Sequence, residues 1–211
     1  MLDKIEIVKP EEIEKRSMKT IMEELALRGN YCYKDEEWPV VRRCIHTSAD
    51  FDYADNLFFS DNAVMAGMEA IRKGAIIVTD TNMAATGINK KKLSAFGGQV
   101  RCYMAEQDVA AEAKEKGVTR ASVCMDRGAA LPGPVIFAVG NAPTALIRLY
   151  ELITQKGIKP KLIIGVPVGF VNVEESKELI LKTDVPCIVA RGRKGGSNIA
   201  AAICNALLYQ M

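Results

Sequence analysis

His46 is the single histidine in a chain of 211 residues. It stands in the charged, turn-prone stretch Arg42-Arg43-Cys44-Ile45-His46-Thr47-Ser48-Ala49-Asp50-Phe51-Asp52. Histidine is the one side chain whose ordinary pKa lies near neutrality, so proton chemistry at that pH falls to it first. Arg42 and Arg43 disfavour an imidazolium there, whereas Asp50, Asp52 and any carboxylate on a ligand favour one. A histidine held between such influences could act as a general acid or base, worth about 10²–10⁴-fold in rate. A hydrogen-bonded histidine beside a surface turn is the plainer alternative. Ser17 is the second candidate. It falls between Ile13 and Ile21 on an apolar helical stripe, four residues from each. A hydroxyl in that position needs a partner. A bond back to its own helix carbonyl and a contact with a ligand account for it equally well.

Four further segments hold polar or glycine-rich residues just after apolar runs. They are Asp80-Thr81-Asn82-Met83, Gly140-Asn141-Ala142-Pro143-Thr144, Gly165-Val166-Pro167-Val168-Gly169-Phe170 and Arg191-Gly192-Arg193-Lys194-Gly195-Gly196-Ser197. In a parallel sheet such loops gather at the carboxyl edge, where α/β proteins place ligands. Helix N-termini at that edge offer free N–H groups and suit anions. Ordinary turn chemistry explains any one of the first three. The last carries three cations ahead of a helix, a costly juxtaposition without an anion, and its glycines would let the backbone approach a ligand closely. Neither G-x-x-x-x-G-K-[ST] nor G-x-G-x-x-G after a strand occurs, so nucleotide readings lose their usual signature. Asn172 with Glu175 three residues on reads as a capping box and needs no chemistry.

These loops imply an α/β frame. Apolar runs at 75–79, 100–104, 135–139, 161–164 and 187–190 continue rather than alternate, as strands buried on both faces do. Helical patterns cover 105–116, 142–156, 173–182 and 198–209. Segment 118–130 reads as helix or strand, with helix favoured by Thr119 as a cap. Strand–helix alternation predicts a three-layer α/β/α fold around a mostly parallel five-stranded sheet, flavodoxin- or Rossmann-like. An N-terminal helical segment precedes it, from Pro10 to Arg28 with Gly29-Asn30 at its end, then a short helix over 36–45 leading to His46. No linker or repeat divides the chain, so residues 1–211 read as one domain.

Composition narrows the function classes. Lys and Arg number 28 against 26 Asp and Glu, a net +2 that makes no electrostatic case for nucleic acid. No apolar run approaches the roughly 20 residues of a membrane helix. The N-terminus lacks the apolar stretch of a signal peptide, and the expected compartment is the cytoplasm. The six cysteines at 32, 44, 102, 124, 187 and 204 form no C-x-x-C pair. Cys102, Cys187 and Cys204 lie in apolar runs as small hydrophobes, and Cys44 finds no further ligands beside His46, so no metal site is expected.

Taken in order, Arg16-Ser17-Met18, Arg42-x-x-Ile45-His46-Thr47-Ser48-Ala49-Asp50, Asp80-Thr81-Asn82-Met83-x-x-x-Gly87-Ile88, Gly140-Asn141-Ala142-Pro143-Thr144-Ala145-Leu146, Gly165-Val166-Pro167-Val168-Gly169-Phe170-Val171 through Glu175-Ser176-Lys177, and Arg191-Gly192-Arg193-Lys194-Gly195-Gly196-Ser197 resemble the precorrin-8X methylmutases, which include the cobalt-precorrin-8 methylmutases of cobalamin synthesis. The resemblance spans nearly the whole chain. It implies an isomerase that moves a methyl group from C-11 to C-12 of a corrin precursor, a [1,5]-sigmatropic shift giving hydrogenobyrinate or cobyrinate. It implies no external cofactor, any cobalt belonging to the substrate. His46 takes the place of the family's active-site histidine, proposed to protonate or hydrogen-bond the ring C region. Ser17 and Arg120 take the places of substrate-binding residues. Asn141, Arg191, Gly195 and Ser197 are expected to join them, with Thr47 and Ser48 in support. The family is homodimeric, its cleft beside the subunit interface, and hand-off to neighbouring pathway enzymes is a further expectation. The chemistry of the residues agrees: cations and helix N-termini suit a flat macrocycle fringed with carboxylates. A non-catalytic carrier of the same intermediate is the alternative, separated by turnover beyond one equivalent. An unrelated α/β enzyme handling a phosphorylated metabolite at the basic loop is the remote third.

Overall fold

The computed structural model describes Glu6 and residues 8–211. Six strands form one sheet: β1 (Leu57–Phe59), β2 (Ile76–Thr79), β3 (Gln99–Arg101), β4 (Val135–Val139), β5 (Leu162–Gly165) and β6 (Cys187–Ala190). Their order is β1-β6-β5-β4-β2-β3. Every neighbouring pair is parallel except β1 with β6. Without β1, the five parallel strands run in the flavodoxin-like order, with β2 and β4 meeting at the point where the winding reverses.

The five expected strands are present, and a sixth joins them. β1 escapes a sequence reading because three residues between Asn56 and Ser60 are too few to show a period. The sheet recruits it. Leu57 pairs with Ala190, Cys187 N–H donates to Ser60 Oγ at 2.8 Å, and Arg191 N–H donates to Asn56 O at 2.8 Å. The run at 100–104 is corrected in another way. β3 spans 99–101 on the far edge, with Gln99 and Arg101 exposed, because an end strand has only one strand neighbour and lacks full cover.

Alternate strand residues feed two cores. Ile77, Ile136, Ile164 and Ile188 face a core with α1 (Pro10–Arg28), α2 (Trp38–Ser48), α4 (Ala63–Arg72), α5 (Asn82–Gly87) and α11 (Ser197–Tyr209). Val78, Phe137, Ile163 and Val189 face the other, with α7 (Gln107–Lys116), α8 (Arg120–Ala129), α9 (Pro143–Lys156) and α10 (Val173–Leu181). Segment 118–130 is therefore helical, its Thr119 hydroxyl accepting from Ser122 N–H at 3.2 Å. Short helices α3 (Tyr53–Asn56) and α6 (Lys90–Ser94) complete the chain. α11 is apolar on nearly every face and runs through the first core, as a fully covered helix must.

Two local expectations fail. Asn172 does not cap α10 with its side chain: it lies in the left-handed region at φ 55°, with its carbonyl accepting from Ser176 N–H. Ile13 is 52% exposed, so the apolar stripe of α1 opens at its first turn. Only Ile21 and Leu25 of α1 are buried. No helix among the described residues is long and apolar enough to cross a membrane.

Candidate functional site

α2 carries His46 in its last turn rather than on a flexible bend. Val40, Val41, Cys44 and Ile45 bury one face of the helix, which fixes His46 and Thr47 on the opposite, exposed side. The helix then stops. Ala49 adopts φ 54° and its N–H closes on Ile45 O at 2.7 Å. Ser48 Oγ donates to Cys44 O at 2.8 Å, and Asp50 N–H donates to Ser48 Oγ at 3.2 Å. That turn sends Asp50 and Asp52 toward the loop between β6 and α11, where both carboxylates take Lys194 Nζ, at 2.6 and 2.5 Å. Tyr53 donates its hydroxyl hydrogen to Gly195 O at 3.4 Å. The hydrogen bond to Lys194 holds the Asp50 carboxyl below the usual range, and the two aspartates hold Lys194 above it.

The charges around His46 are thus already engaged. Arg43 pairs with Glu14 of α1 at 2.5 Å and stacks 5.1 Å over Tyr209. Arg42 donates from Nε to Trp38 O at 3.4 Å. Arg42, Arg43, Asp50 and Asp52 each have a partner other than the imidazole. What His46 faces is a cleft of about 850 Å³ between α1 and the end of α2. Ser17, Arg16, Thr20, Ile13 and Phe51 line it with His46. Ser17 Oγ donates to Ile13 O at 2.9 Å, so its proton is committed to its own helix while its lone pairs face outward.

The other expected binding residues lie elsewhere. Arg120 opens α8 on the opposite layer and donates from Nη1 to Met104 O at 3.4 Å. Arg191 is exposed, its guanidinium 4.8 Å over Phe58. Ser197 Oγ shares a hydrogen bond of 2.7 Å with Thr81 Oγ1. Asn141 is exposed, but its backbone N–H is occupied. None of these lines the His46 cleft.

The reversal point between β2 and β4 is filled from within. Asp80 is buried and accepts three backbone N–H groups, from Gly140 at 2.8 Å, Asn141 at 2.8 Å and Ala142 at 2.7 Å. Burial pushes its carboxyl up, against the pull of the three amides. An amide nest that would hold a ligand's anion in a nucleotide-binding fold holds a side chain here. The glycines also serve the fold. A Cβ on Gly195 would lie 2.1 Å from Val166 O, and one on Gly140 would lie 2.6 Å from Ser197 Cα. They let loops touch loops.

The three cations of the Arg191–Ser197 segment find protein partners: Lys194 at Asp50 and Asp52, Arg193 at Glu174 at 2.9 Å, and Arg191 over an aromatic ring. Two of the three thus meet carboxylates of the chain itself. One buried lysine organises the loop from below. Lys177 Nζ donates to Gly192 O at 2.7 Å and Lys194 O at 2.8 Å. Burial lowers its pKa to about 8. Sequence reasoning assigned no role to Lys177 and named Asp80 only as part of a candidate ligand loop. Lys177 stands in a helix that reads as ordinary, and its burial shows only in the fold.

Residues 12–210 match the sequence profile of the family described as CbiC, precorrin-8X methylmutase. The chain belongs to the precorrin-8X methylmutase family. Among similar proteins, the cobalt-precorrin-8 methylmutase of Priestia megaterium is 44% identical over 200 residues, covering 95% of this chain and 88% of that one. The precorrin-8X methylmutase of Pseudomonas aeruginosa is 44% identical over 168 residues, 78% of this chain and 80% of that one. The solved structure of precorrin-8x methyl mutase from Thermus thermophilus superposes with a TM-score of 0.84 at 41% identity, over 94% of this chain and 96% of that one. Methylmutases are intramolecular transferases, and their fold is the six-stranded, mostly parallel sheet with an N-terminal helix seen here.

Proposed function

We propose that the chain converts precorrin-8 or its cobalt form by moving one methyl group from C-11 to C-12, giving hydrogenobyrinate or cobyrinate, in cobalamin biosynthesis. The observation that carries this is the exposed placement of the sole histidine on the wall of a cleft shared with Ser17. The reaction is an isomerisation, so atoms balance without a co-reactant. The C-11–methyl bond breaks as the C-12–methyl bond forms, and the π electrons of the ring shift to match. His46 lends a proton, or a hydrogen bond, to the ring C region as charge develops there, and takes it back when the shift is complete. Its role requires a fixed donor and no nucleophile, which fits an imidazole held by a helix whose opposite face is buried.

Arg120, Asn141, Arg191, Gly195 and Ser197 complete the binding surface in this reading, with Ser17 beside His46. They stand along the carboxyl edge and on the far layer, so the reading includes a homodimer whose second copy closes the cleft. Any cobalt arrives with the substrate, and the chain works as one domain in the cytoplasm. The test is a visible-absorption titration with metal-free and cobalt-containing precorrin-8, followed by product analysis. Product beyond one equivalent per chain is expected. A spectral shift without turnover would make the protein a carrier, and no shift would remove the corrinoid reading.

A further inference from the structure

The wall of α1 that lines the cleft with His46 carries two cations, Arg16 and Lys19. Ile13, Arg16, Ser17, Thr20 and Glu24 recur at three- and four-residue steps and line the cleft together. A carboxylate ligand needs N–H or O–H donors. Ser17 has spent its hydrogen on Ile13 O. Arg16 offers five N–H groups in a planar fork suited to carboxylates.

That guanidinium is occupied by acids of the protein. Nη1 meets the Glu6 carboxylate, and Nη2 lies 3.7 Å from Glu12 Oε2. The two partners differ in kind. Glu12 is one helical turn from Arg16 and stays beside it by construction. Glu6 lies outside any helix, ahead of α1, and itself lines the cleft. The remaining cleft acids are otherwise matched: Glu23 lies 3.6 Å from Lys19, and Glu24 lies 3.6 Å from Arg28. Among the described residues, Glu6 is therefore the one cleft acid whose partner is Arg16 and whose position no helix dictates. The pair is exposed, with the side chains at 49% for Arg16 and 75% for Glu6, where an ion pair gains little over water. It is cheap to exchange.

We infer that Arg16 is a receptor for a carboxylate of the tetrapyrrole substrate, and that Glu6 occupies it in the empty enzyme as an internal stand-in. Substrate entry swaps one carboxylate for another on the same fork. The exchange keeps the guanidinium paired throughout and removes from the cleft an acid that would repel a polycarboxylate. No bond forms or breaks in this step. The inference rests on the cleft being the substrate site.

The experiment is equilibrium titration with hydrogenobyrinate, followed by its visible band, for the full chain and for Arg16→Gln, Arg16→Lys, Glu6→Gln and the Arg16→Gln/Glu6→Gln pair. Arg16→Gln should weaken binding by about tenfold or more, since a charge-assisted pair is lost, and Arg16→Lys should recover part of it. Glu6→Gln should tighten binding by about two- to tenfold, because the competitor has gone. In the Arg16→Gln background Glu6→Gln should have no effect, since both changes act at one group. An unchanged dissociation constant for Arg16→Gln, or a Glu6 effect that persists without Arg16, would overturn the inference alone. Failure of the unmutated protein to bind the corrin would instead overturn the cleft assignment beneath it, and the inference with it.

Discussion

Lys177 gives a prediction whose sign and size both come from its surroundings. Its ammonium is fully buried, held by two carbonyl oxygens and by no carboxylate in hydrogen-bond contact. Burial lowers its pKa from the ordinary 10.5 to about 8 in the folded chain. The folded state therefore releases this proton near pH 8, while the unfolded chain keeps it to about pH 10.5. Between those values the unfolded state binds more protons, so stability attributable to this residue rises with pH. Integrated over that window, the gain is about 3 kcal/mol. The neutral amine keeps two N–H donors, so the grip on Gly192 O and Lys194 O survives deprotonation. The perturbation is Lys177→Met, and the assay is urea unfolding of both proteins from pH 7 to 10.5. Other titrating groups cancel in the difference. The difference in unfolding free energy, wild type minus variant, should climb by about 3 kcal/mol across the range. A flat difference, or one that falls, would refute the burial argument.

Other perturbations probe the loop architecture. Asp80→Asn keeps one acceptor oxygen where two now serve, so its NH₂ must face either the buried Gly140 N–H or the Asn141 and Ala142 pair and leave that side without an acceptor. Chemical denaturation should show a loss of about 2–5 kcal/mol, and a loss under 1 kcal/mol would count against the nest. Gly195→Ala forces a Cβ against Val166 O and must separate the loops after β5 and β6. A stability loss of about 2–4 kcal/mol is expected, with weaker corrin binding, and a neutral variant would show that the approach is not tight. Lys194→Gln should release the turn after α2, lowering turnover at little cost in stability. Unaltered kinetics would show that His46 is positioned without that clasp.

The frame was legible because its signal is repeated and strong. Runs such as Val135–Val139 and Cys187–Ala190 are apolar throughout, and burial on both faces requires that. β1 was not legible, since its only reason to exist is an edge left open by β6. The site divided along a similar line. His46 and Ser17 could be singled out by type and spacing, and they do share a cleft. The carboxylate partners of the cation-rich segment, Asp50, Asp52 and Glu174, were not legible, because only the fold brings them near Lys194 and Arg193. The filling of the nest at the carboxyl edge was hidden for the same reason. Asp80 fills the amide nest from 60 residues before Gly140, and no local pattern announces that. Charge complementarity within a chain is a tertiary property, invisible to spacing.

The central claim is that one imidazole, presented by the end of α2, assists the methyl shift. Single-turnover conversion of precorrin-8 by His46→Ala, beside a corrin-binding titration of the same variant, tests it most directly. The account predicts a rate lower by about 10²-fold or more with the corrin still bound. Conversion at the unmutated rate would contradict it.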